Sequence, residues 1–87
     1  MSSISTTEFD NMCKIAVPEI EGKLKERLPS VKSVSRFFQL EGALRLNLRV
    51  EYEKDGEIKV LTLGVPAQQV MDDNLEPVLD AITNAIS

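Results

Sequence analysis

The chain has no histidine, no tryptophan and a single cysteine, Cys13, and each scarcity removes a class of chemistry. Without histidine, the usual general base near neutral pH and the commonest metal ligand are both missing. One cysteine cannot form an internal disulfide, which accords with a reducing compartment. Cys13 also lies on an apolar stripe beside Met12, with no histidine to activate it, so it reads as a small buried hydrophobe rather than a nucleophile. The four glycines are scattered singly, and neither G-x-x-x-x-G-K nor G-x-G-x-x-G occurs, so no phosphate-cradling loop is encoded. No apolar run approaches the roughly 20 residues that span a bilayer. The first ten residues, MSSISTTEFD, have neither a basic n-region nor an apolar h-region. Positive charge is in the minority, 10 Lys and Arg against 14 Asp and Glu, giving a net charge of -4 and a pI near 4.7. Such a balance opposes non-specific binding to phosphate backbones and anionic membranes. The expectation is a soluble cytoplasmic protein that is not an enzyme, with no cofactor, no metal and no membrane partner.

The 87 residues suffice for one domain spanning the whole chain. The area scaling for that mass buries roughly 60 to 65% of the unfolded surface. A margin of about 5 kcal/mol follows. Dimerisation or a partner would add usefully to it.

What is present is amphipathic patterning. Ser5 and Glu8 form an S-x-x-E capping box, which starts a helix. Phe9, Met12, Cys13, Ala16, Ile20, Leu24 and Leu28 then recur at spacings of three and four, one continuous stripe that runs through Pro18. A proline there predicts a kink near residues 14–17, not two unrelated helices. Pro29 ends the helix. From Val31 the period falls to two, with strands expected over residues 34–40, 44–53 and 58–65, and turns at Glu41-Gly42 and around Asp55-Gly56.

Register assigns the faces. A two-residue type I′ loop at Asp55-Gly56 pairs Lys54 with Glu57, and counting back sets Val50 against Leu61, Leu48 against Leu63 and Leu46 against Val65 on the core face. The other face then carries Glu53 beside Ile58, Glu51 beside Val60 and Arg49 beside Thr62. The first hairpin leaves two solutions: a three-residue loop turns Phe38 and Leu40 inward, whereas a two- or four-residue loop turns Phe37 inward. Beyond Val65, Pro66 opens a short helical turn over residues 67–71. Asp72, Asp73 and Asn74 offer an N-cap to a final helix over about residues 74–86, whose buried stripe is Leu75, Val78, Leu79, Ile82 and Ile86. Capping also accounts for the Asp72-Asp73 pair better than acid/base or metal chemistry, since adjacent side chains diverge. The fold class is α+β, in the order α-β-β-β-α, a three-stranded antiparallel meander with two helices packed on one face.

The double-stranded-RNA-binding domain shares that order of elements, but its second helix opens with lysines that grip phosphates. Here the corresponding region reads QQVMDDNLEP and is acidic. Shared order without shared site chemistry carries no function.

The remaining candidate is the sheet face that the helices leave open. It is expected to hold Arg36, Phe37, Arg45, Arg49, Ile58 and Val60, a mix of arginine, aromatic and aliphatic groups that is enriched at protein interfaces. The first reading is a small acidic protein-binding module, regulatory in character, an adaptor, inhibitor or regulatory subunit. The partner is another protein or a second copy of the chain. An alternative is a structural subunit of a homo-oligomer, a homodimer included, or of a larger assembly. A third is single-stranded nucleic acid stacked on the outward phenylalanine between Arg36, Arg45 and Arg49. Glu51, Glu53 and the acidic total weigh against nucleic acid.

Overall fold

The structure is a computed structural model that describes residues 5–38 and 44–86. Helix α1 runs from Thr6–Arg27, and the Ser5 hydroxyl caps it by accepting from the Glu8 amide at 3.5 Å. Pro18 lies inside this continuous helix and on its exposed side, where its missing N–H costs a single bond and its ring meets solvent. The opposite side buries Phe9, Cys13, Ala16, Ile20 and Leu24, while Met12 and Leu28 pack at the margin of the core. Every member of the stripe thus touches the interior.

Strand β1 covers Val31–Phe37, β2 Arg45–Lys54 and β3 Glu57–Pro66, in the antiparallel order β1-β2-β3. The first strand therefore starts and ends three residues before its expected limits. The Glu41-Gly42 turn lies outside the described residues. The second hairpin is as the sequence dictates, with Val50, Leu48 and Leu46 opposite Leu61, Leu63 and Val65. Asp55 and Gly56 sit at φ 55° and 79°, the two left-handed positions that a type I′ loop demands.

Helix α2, Ala67–Met71, follows Pro66 directly, and α3, Glu76–Ile86, closes the described chain. Here one expectation is corrected. Residues 72–74 do not open α3; they terminate α2. Asp73 takes a left-handed φ of 55°, its amide donates to Val70 O and the Asn74 amide to Gln69 O, the paired bonds of a Schellman ending. The Asp72 carboxylate accepts from Gln68 Nε2.

The core is the layer between the helices and one sheet face, where Leu46, Leu48 and Val50 meet Phe9, Ile20, Leu24, Leu79 and Ile82, all fully buried. Removing one of these large side chains would cost about 2 to 5 kcal/mol. Arg27 ties α1 to α3 by donating to Glu76 at 2.7 Å and Asp80 at 3.0 Å, and these carboxylates, Glu76 foremost, hold its guanidinium above its ordinary pKa. No helix of the described residues is long and apolar enough to cross a membrane.

Candidate functional site: the open face of the sheet

The helices pack on one side of the sheet, and among the described residues nothing covers the other side. Cross-strand pairing arranges it in rows: Glu53 with Ile58, Glu51 with Val60 and Ser33, Arg49 with Thr62 and Ser35, then Asn47 with Gly64 and Phe37, and finally Arg45 with Pro66. Lys32, displaced by an irregularity between Val31 and Ser33, reaches Glu53 at 3.5 Å on the same side.

Of the six residues expected here, the structure brings five together and removes one. Phe37 pairs with Asn47, so it faces outward, half-buried; Phe38, expected inward in that case, is instead 74% exposed with its ring against the Arg36 guanidinium, and the loop itself lies outside the described residues. Ile58 and Val60 stand side by side and are 58% and 48% exposed. Arg49 stands in the middle row of the face and Arg45 in the last, with Asn47 between them. Arg36, by contrast, pairs with Leu48 and points to the helices. Its guanidinium donates to Asp10 at 3.0 Å, lies 5.5 Å from the Phe9 ring and 4.4 Å from the Phe38 ring, and is only 16% exposed. The strand alternation that sends Val34 inward sends Arg36 inward too. The cost of burying a cation is met by Asp10 from α1 and by two aromatic faces, although its Nε has no partner among the described residues.

Electrostatically the face is less basic than its arginine count suggests. Arg49 lies 3.6 Å from Glu51 and Lys32 is paired with Glu53, so these charges offset one another. Arg45 makes no ion pair among the described residues. Its side chain lies flat across the backbone of Gly64, where a Cβ would come within 2.9 Å of Arg45 Cδ. Asn47, 7% exposed, sits in the next row with its Oδ1 over the same glycine. The alternation of β2 places Asn47 on this face, but Gly64 did not stand out in the site expected from sequence. A glycine inside a strand pattern was the available signal, because it marks a place where another group approaches the backbone. Beside it a depression of about 260 Å³ is lined by Leu44, Arg45, Gly64, Pro66 and Ala67.

Among the described residues, no group of three or more His, Cys, Asp or Glu is placed to hold a metal. Cys13 is fully buried on the helix side, and burial pushes its thiol pKa up, with Arg36 lowering it by a smaller amount. No family model, no curated protein and no solved structure matches this chain. The functional reading therefore rests on the geometry of the face.

Proposed function

We propose that the chain is a non-catalytic protein-binding module, an adaptor, inhibitor or regulatory subunit, whose contact surface is the open sheet face. The observation that carries this reading is the exposed pair Ile58 and Val60 on the same uncovered face as Arg45, a cation with no carboxylate partner among the described residues. Aliphatic groups at one end of the face and an available arginine at the other supply the few anchors from which such a surface draws its energy. Phe37 adds an apolar group on β1, while the Arg49–Glu51 and Lys32–Glu53 pairs set a charge-balanced strip along the central strand that favours register over raw affinity. A partner surface with apolar side chains and one carboxylate, set to meet Arg45, matches this pattern. The single buried Cys13 suits work in the reducing cytoplasm.

The test is affinity capture with the native chain and with a variant carrying Arg45→Ala, Arg49→Ala and Val60→Ala. These side chains lie outside the core, so the circular dichroism spectrum is expected to stay native while partner capture is lost. Capture that survives all three changes refutes the open face as the contact surface.

A further inference from the structure

The two edges of the sheet differ. In an antiparallel ladder, successive residues turn their backbone groups alternately toward and away from a neighbour. The closing pair of the second hairpin is Lys54 with Glu57, so residues 57, 59, 61, 63 and 65 bond to β2. Ile58, Val60, Thr62 and Gly64 then present their N–H and C=O groups at the free edge of β3. The same counting turns the Val34 amide to the free edge of β1, and there the Glu21 carboxylate accepts from it at 3.0 Å. Edge β1 is short, irregular at Lys32 and closed by Glu21. Edge β3 is ten residues long, and from Val60 to Val65 it carries no charge and no proline. Among the described residues, no side chain bonds to the outward backbone groups of β3.

We propose that β3 is a pairing edge and that its occupant is the β3 strand of a second copy of this chain, antiparallel about a two-fold axis at Leu61. The unpaired backbone row selects a strand as occupant. The side chains select a copy. With the axis at Leu61, Ile58 lies opposite Gly64 and Val60 opposite Thr62, twice each, so all four free N–H groups and all four free C=O groups bond. A shift of the axis to Thr62 would set Ile58 against Pro66, which has no N–H to give. At Leu61 the two charged residues of the strand face neutral partners, Glu57 opposite Val65 and Lys59 opposite Leu63, so like charges never meet. Core-facing residues also meet core-facing residues, which keeps the helices of both copies on one side and yields a six-stranded sheet with one continuous open face. Ile58 and Val60 of the two copies then border the seam.

The proposal does not depend on the open face having a foreign partner, because edge pairing uses backbone groups and leaves Arg45 and Arg49 uncovered. The experiment is sedimentation equilibrium from micromolar to millimolar concentration on the native chain and on Thr62→Pro, which deletes an edge N–H but no bond to β2. A dimer is expected for the native chain, with its dissociation constant raised at least about tenfold in the proline variant, while the monomer keeps its native spectrum. Because proline could perturb the strand, the register is read separately by oxidative cross-linking. The axis pair is a non-hydrogen-bonded one with Cα atoms about 4.5 Å apart, within disulfide reach. Leu61→Cys is expected to give a covalent dimer, and Lys59→Cys, whose copies are separated by four residue positions, is not. A native chain that stays monomeric throughout overturns the proposal, as does cross-linking of Lys59→Cys as readily as Leu61→Cys. A dimer abolished by Arg45→Ala and Arg49→Ala but untouched by Thr62→Pro also overturns it, by moving the contact to the open face.

Discussion

Replacing Asp10 with alanine takes away the carboxylate that, among the described residues, alone pairs with the Arg36 guanidinium, which is 16% exposed. Breaking a buried ion pair by removing one partner costs about 3 to 5 kcal/mol. A fully exposed pair is worth about 0.2 to 1 kcal/mol. Asp10 is itself 42% exposed, and Arg36 retains the rings of Phe9 and Phe38, so the cost falls between these limits at about 2 kcal/mol. For 87 residues the unfolding entropy near the transition is about 0.18 kcal/mol per kelvin, which converts that cost into a fall in Tm of about 11 °C. The opposite truncation is milder. Arg36→Met leaves an apolar chain of similar length among Phe9, Phe38 and Leu48 and an aspartate that water can solvate, at about 1 kcal/mol. The double variant is expected to cost no more than Arg36→Met alone, which gives a coupling of about 2 kcal/mol in a double-mutant cycle. Thermal unfolding followed by circular dichroism measures all four proteins. If Asp10→Ala costs under about 0.5 kcal/mol, or if the two changes add, Arg36 is not held by this pair and its inward placement needs another cause.

Two further outcomes follow from single contacts. Glu21→Ala strands the Val34 amide, so it is expected to lower stability by about 1.5 kcal/mol, a hydrogen bond to a charged group discounted for partial exposure, in urea titration; unchanged stability would mean that water satisfies the amide equally well. Burial raises the Cys13 pKa, so above the ordinary thiol range the unfolded chain releases this proton while the folded chain keeps it, and stability falls as pH rises through that window. The decline should vanish in Cys13→Ala, and in the native protein a thiol reagent should react only as fast as the chain unfolds; rapid labelling under folding conditions would refute the burial.

The parts legible in the sequence were those governed by short-range rules. Asp55-Gly56 admits one loop, and once that loop is placed the pairing of β2 with β3 is arithmetic, which is why Ile58, Val60, Arg45 and Arg49 fell on the face expected of them. The first hairpin has no such marker, so the side taken by Phe37 waited on a loop length that the residues do not declare. Arg36 escaped for a different reason: a cation turns inward only where a distant element supplies its counter-charge, and Asp10 lies 26 positions away on α1. At Asp72, Asp73 and Asn74 the residue types announced a cap correctly, but the same residues close one helix as readily as they open the next. Only the left-handed backbone of Asp73 distinguishes the two.

The guarded edge at β1 bears on how far any association through this sheet can grow. Strand addition propagates when both rims of a sheet accept a newcomer, as in fibres, and terminates when one rim refuses. With Glu21 seated on the Val34 amide and the strand thrown out of register at Lys32, the β1 rim is guarded, and the proposed pairing would use the β3 rim alone. Raising its concentration should fill a finite complex and leave the solution clear. The carboxylate of Glu21 is then one of two terminators on that rim, and its loss would leave the irregularity at Lys32 as the other.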